Sequence, residues 1–114
     1  MKDDMLDSYY RRGRELCLQR NWKDGMSVLR YAARGGHIHA AFDIGWWYIE
    51  MDKPEESIGW FEIAANSGHV EAMYRLGLAY GRLLDLSRAS YWWHVAAANG
   101  HEDAAKCVSG LAAE

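Results

Sequence analysis

The sequence predicts an all-α fold: a right-handed α-solenoid of about three helix-turn-helix repeats plus a closing helix, seven helices in all. Three observations carry that expectation. Ala32-Ala33-Arg34-Gly35-Gly36-His37 returns as Ala64-Ala65-Asn66-Ser67-Gly68-His69 and again as Ala96-Ala97-Ala98-Asn99-Gly100-His101, 32 residues apart each time with no insertion. Large and small residues alternate at helical spacing on two segments of every repeat. One proline, eleven glycines and few β-branched residues, beside abundant Ala, Leu, Trp and Tyr, favour helix over sheet.

The first helix, about 4–19, opens near Asp3-Asp4, acids that suit the positive end of a helix dipole. It keeps a Gly13-x-x-Leu16 spacing, but Arg12 replaces the apolar residue that precedes the glycine in later repeats, a polar end that stops further stacking. The second helix, about 22–35, starts at Trp22, expected to pack there, and carries Gly25 and the bulky pair Val28-Leu29. The third, about 38–51, bears Ala40, Ile44-Gly45 and Tyr48. The fourth, about 54–67, has Pro54 in its first turn, where a missing N–H costs little, then Glu55-Glu56, Ser57 and Trp60-Phe61.

The fifth helix, about 70–82, sets Ala72, Leu76 and Tyr80 four apart on one face. The sixth, about 86–98, does the same with Ala89, Trp93 and Ala96-Ala97; the closing one, about 102–112, keeps Ala104 but has Val108-Ser109 without the glycine. Small residues let paired backbones approach while the leucine or aromatic fills the space beside them. Gly36, Gly68 and Gly100 fall where a left-handed helix end is wanted. One domain is expected over 1–114, with repeats at about 5–36, 37–68 and 69–100 and a closing helix at 101–114.

Charge and chemistry exclude several functions. The formal net charge is −3 with no clustered Lys and Arg, so no sequence-independent grip on nucleic acid is expected. The start is acidic where a secretory signal is basic, and no apolar stretch approaches the ~18 residues of a membrane span, so a cytoplasmic protein with no membrane partner is expected. Cys17 and Cys107 lie near opposite ends of the stack, too far apart for a bridge. Equivalent histidines of stacked repeats stand ~10 Å apart, whereas zinc ligands sit ~2 Å from one ion, so His37, His69 and His101 are expected to serve as turn or capping residues. Cys17 reads as a small core residue rather than a nucleophile. With no phosphate loop, His-x-x-x-His or Gly-x-Ser-x-Gly in the sequence, neither an enzyme nor a cofactor is expected.

The run Ala72-x-x-x-Leu76-Gly77-x-x-Tyr80, followed by Trp92-Trp93-x-x-Ala96-Ala97-x-x-Gly100-His101-x-x-Ala104, resembles the Sel1-like repeat, a branch of the tetratricopeptide-like (TPR-like) solenoids. The resemblance covers about 38–104 strongly and the first repeat weakly. It departs from that family in one respect. The Gly-x-Gly-Val type insertion after the tyrosine is missing, and Tyr48 to Ser57 and Tyr80 to Ala89 keep the shorter nine-residue spacing of ordinary TPR repeats.

What the resemblance implies is protein–protein interaction without catalysis, through a concave face lined by the first helix of each pair. Its register marks Asp7, Tyr10 and Arg14; then His39, Phe42, Trp46, Ile49 and Glu50; then Glu71, Tyr74, Leu78 and Arg82; and Asp103 and Lys106 on the closing helix. The residues support that marking, because Phe42 with Trp46 and Tyr74 with Leu78 are i,i+4 apolar pairs offset from the core stripe. Aromatic and Arg side chains are also the usual hot-spot types.

The expected role is a protein- or peptide-binding adaptor. Two alternatives stand beside it: an immunity or inhibitor protein for a cognate bacterial toxin, and a structural homo-oligomer, with a homodimer through the same aromatics. Trp60, Trp92 and Trp93 are expected to be structural, and Trp47, where the next repeat has Ala79, either fills a gap or protrudes. Trp46→Ala and Tyr74→Ala are expected to weaken partner binding with little change in stability.

Overall fold

The computed structural model describes residues 2–113; Met1 and Glu114, the ends of the expected domain, lie outside the described residues. Seven helices follow one another: α1 (Lys2–Leu18), α2 (Trp22–Arg34), α3 (Ile38–Glu50), α4 (Pro54–Asn66), α5 (Val70–Arg82), α6 (Leu86–Ala98) and α7 (Glu102–Ala113). No strand occurs among the described residues. Every expected helix is present, its ends within two residues of the expected ones.

Helices pack in pairs, α1 on α2, α3 on α4 and α5 on α6, and each pair rests on the next through α2–α3, α4–α5 and α6–α7. The molecule measures 46 × 29 × 18 Å. Its least dimension fits two layers of helices, α1, α3, α5 and α7 in one and α2, α4 and α6 in the other.

The repeat explains why the pairs close so tightly. A Cβ added to Gly13 would lie 2.9 Å from Leu29, and one added to Gly45 would lie 2.7 Å from Phe61. At Gly77 it would collide with the Trp93 ring. The second residue of each bulky pair thus seats on a glycine, and Leu29 and Phe61 are fully buried there. Gly25, Ser57 and Ala89 are the buried small partners on the second helices. The Ser57 hydroxyl donates to the Pro54 carbonyl at 2.7 Å, so its burial leaves no orphan. Trp93 Nε1 is different: it is buried with no acceptor.

Repeats are joined by a left-handed turn and a new cap. Gly36, Gly68 and Gly100 have φ of 107°, 92° and 91°. The next N–H reaches back five residues, from His37 to Ala32 at 3.0 Å, His69 to Ala64 at 3.1 Å and His101 to Ala96 at 3.0 Å. Each histidine then starts a helix, its Nδ1 accepting from Ala40 N–H at 3.1 Å, Ala72 N–H at 3.0 Å and Ala104 N–H at 3.1 Å. These are N-caps, the role expected of them.

Inside each pair the turn is also left-handed, at Arg20 (φ 67°), Asp52 (φ 60°) and Leu84 (φ 62°). None of the three is glycine, so no residue type marks these turns in advance. Trp22 is 38% exposed and meets Trp47 edge-on at 4.8 Å, a surface contact rather than core packing. Trp47 stands between Trp22 and Trp46, the latter at 4.7 Å, and so fills the gap. No helix among the described residues is long and apolar enough to cross a membrane.

Candidate protein-binding face

The layer of α1, α3, α5 and α7 presents the residues marked from the sequence, and the repeat sets them in rows. Tyr10, Phe42 and Tyr74 form one row at intervals of 32. Each ring lies flat on the N-cap histidine of the following repeat, with centroids 4.5 Å apart for Tyr10–His37, 4.6 Å for Phe42–His69 and 4.3 Å for Tyr74–His101. All three are half-buried and packed on the core, so they serve as wall and as mortar between repeats. Their removal therefore affects stability as well as the face, and so does removal of Trp46, which packs on the same core; Leu78, outside that group, is the cleaner probe.

Trp46 stands between two hollows. The first, of about 220 Å³, brings Arg14, Phe42 and Trp46 together with Leu18, Asp43 and Trp47. The second, of about 120 Å³, brings Trp46, Ile49, Leu78 and Arg82 together with Glu50 and Arg75. His39 lies off both, exposed, edge-on to His69 at 5.3 Å and 6.3 Å from Tyr10. Lys106 also stands apart, in a loose contact with Asp103 at 3.9 Å.

Cations of the face differ in how free they are. Arg82 pairs with Asp52, and Arg75 bonds Glu71 at 2.9 Å while lying 5.7 Å from the Tyr74 ring centre. Arg14 makes no ion pair among the described residues. Its neighbour Asp43 is the polar floor of the first hollow. Burial pushes the Asp43 carboxyl above the ordinary carboxylate range, while the charge of Arg14 and the hydroxyl of Tyr10 pull it back. Burial, and then Asp43, likewise raise Tyr10.

Asp43, Arg75 and Leu18 escaped the sequence reading, and Trp47 was named there without a place on the face. Position 43 is equivalent to Arg11 and Arg75, and that charged row beside the aromatic row was the available signal. Cys17, in contrast, is fully buried against Gly25, and burial followed by Asp43 pushes its thiol up to about 11, which leaves it inert. Among the described residues no group of three or more His, Cys, Asp or Glu is placed to hold a metal ion.

Neither a protein-family model nor a curated protein matches this chain. Solved structures do. A Sel1 repeat protein from Oxalobacter formigenes is 27% identical, with a TM-score of 0.71 over 92% of this chain and 88% of that one. The chain has the Sel1-like/TPR-like repeat fold. The N-terminal domain of stress-induced protein-1 from C. elegans superposes on this repeat fold with a TM-score of 0.86 at 21% identity, covering 97% of both chains. The first TPR of Spaghetti, solved bound to an HSP90 peptide, gives 0.77 at 12% identity over 94% of this chain and 90% of that one. Within the Sel1-like/TPR-like fold, then, the turns are of TPR length and the Ala-Ala-x-x-Gly-His junction is the recurrent element.

Proposed function

We propose that the chain is a binding module, not an enzyme, which holds a segment of another protein across α1, α3 and α5. The observation that carries this reading is the place of Trp46, a large, partly buried ring shared by two hollows, with Arg14 beside one and Arg82 beside the other. An aromatic anchor flanked by guanidinium groups is the usual make-up of an interface hot spot. A helix or extended peptide laid along the row would seat one apolar side chain on each side of the indole. The neighbour of the same fold solved with an HSP90 peptide supports a peptide as ligand. Against catalysis stand the inert Cys17 thiol and three histidines whose Nδ1 atoms are committed to capping.

The test uses the whole chain as bait in extracts of its source cell, beside Trp46→Ala, Leu78→Ala and, as a control on the other layer, Tyr31→Ala. Partners retained by wild type and Tyr31→Ala but lost from Trp46→Ala are the expected result. With the purified partner, Trp46→Ala should raise Kd by roughly thirty-fold, as for a hot-spot residue. Equal retention by Trp46→Ala and wild type would remove this face from consideration. The adaptor and immunity roles share the face and divide on affinity. One partner held at nanomolar or tighter Kd selects immunity; several held more weakly select the adaptor.

A further inference from the structure

Three junctions link the first helices of successive pairs, and two of them are alike. The Asp7 carboxylate lies 3.3 Å from His37 Nε2, and Glu71 lies 2.7 Å from His101 Nε2. Each acid stands 30 residues before its histidine. At the middle junction the residue 30 before His69 is His39, and the two rings meet edge-on with centroids 5.3 Å apart. His37 completes the group at 6.0 Å from His39.

We propose that the His39–His69 contact is a proton-sensitive joint between the second and third repeats, placed in the wall that would hold the partner. Its bearing on binding rests on that proposed face; the joint itself does not. When both rings are neutral, an imidazole N–H has a lone pair or π-face to meet. When both are charged, like charges stand side by side at the one junction of the three whose histidine has no acid bonded to it.

Carboxylates stand around the joint, but among the described residues none bonds to His39 or His69, and at His69 burial and His39 outweigh Glu71. From α1, Asp3, Asp4 and Asp7 line the adjoining hollow, and Asp7 is held by His37 and Arg11. From α3, Asp43 acts on His37 and His39 and is partly buried beside Tyr10 and Arg14. From α5, Glu71 is bonded to Arg75 and His101. Phe42 covers one face of the His69 ring, which closes that side to any acid. Burial first, and then His39, lower the pKa of His69, with Glu71 pulling the other way.

The sign follows. A histidine lowered in the folded state is protonated first in the unfolded chain, so stability is lost as pH falls from the ordinary value of 6.5 toward the folded one. Because Phe42 both stacks on His69 and lines the hollow beside Trp46, loosening the joint loosens the wall.

The test is a pH titration of the full chain, read by imidazole NMR and by thermal unfolding. In wild type, His69 should titrate below 6.5, and Tm should fall further between about pH 7.5 and 5.5 than it does in His39→Glu. His39→Glu supplies the acid of the other junctions, and should raise the His69 titration and lessen the fall in Tm. His39→Gln removes the second charge alone and should lie between them. Equal pH slopes in wild type and His39→Glu, or His69 titrating at or above 6.5, would overturn the joint. Neither readout needs a partner, so this result is independent of the fate of the binding face.

Discussion

Tyr74 lies flat on His101, ring centroids 4.3 Å apart at an interplanar angle of 22°, and so holds the imidazole that caps α7. The same imidazole meets Glu71 through its other nitrogen. One side chain thereby satisfies a helix start, stacks on the preceding repeat and anchors a carboxylate. His101→Ala removes all three contacts, and about 2 kcal/mol of stability should be lost. His101→Asn keeps a capping oxygen and should lose clearly less. Urea unfolding of the three proteins checks this; equal losses would mean that the cap contributes nothing.

Glu71 makes a second prediction, about acid. Burial is the largest single influence on its carboxyl and pushes it up, but His101 and Arg75 together outweigh burial and hold it below the ordinary value of 4.5. A carboxyl depressed in the folded state contributes stability above its unfolded value, and loses it as pH falls through the folded one. Wild type should therefore be more stable than Glu71→Gln near neutrality, and the two should converge as pH drops below 4.5. Unfolding free energies at neutral pH and at about pH 3 decide it. Parallel curves would show that the pairing adds nothing.

Glycines of the helices divide into two kinds, and substitution should separate them. An alanine Cβ at Gly45 would sit 2.7 Å from the fully buried Phe61 ring, so Gly45→Ala should destabilise by about 1–3 kcal/mol. At Gly59, also inside a helix, a Cβ would meet nothing within 4 Å, so Gly59→Ala should stabilise by about 0.5–1 kcal/mol. The ring seated on Gly77 follows the first kind in reverse, and Trp93→Ala should lose about 3–5 kcal/mol. Thermal melts of the three variants suffice; a stabilising Gly45→Ala would mean that the pairs are packed less closely than described.

What could be read in the sequence was what the repeat writes three times. The seven helices, the left-handed glycines and the capping histidines all recur at 32, so each copy vouches for the others. Trp46 could be placed on the face because it is a bulky apolar residue offset from the core stripe. The stacks of Tyr10, Phe42 and Tyr74 on the histidines could not, because they join residues 27 apart across two helices and leave no helical spacing to detect. Asp43 is a single polar residue on an amphipathic helix, and its half-buried place beside Arg14 depends on how two repeats lean together. His39 was marked for the face, yet its contrast with Asp7 and Glu71 acquires meaning only once the histidine 30 residues on is seen to face it.

The turns within the pairs were illegible for a physical reason, and that reason makes the last prediction. Leu84 holds φ 62° at a position where an L side chain crowds its own carbonyl, and the fold imposes this because Leu84 N–H reaches Gly81 O at 3.0 Å while Asp85 N–H reaches Tyr80 O at 3.0 Å. Nothing on the side chain compensates, for Leu84 is 83% exposed. Asparagine tolerates this conformation and glycine adopts it freely, as Gly100 does with φ 91° at the next turn. Leu84→Gly and Leu84→Asn should each raise stability by about 1 kcal/mol, while Leu84→Val, β-branched, should lower it. Chemical denaturation of the four proteins ranks them. A wild type more stable than Leu84→Gly would show that the exposed leucine makes a contact that outweighs its backbone.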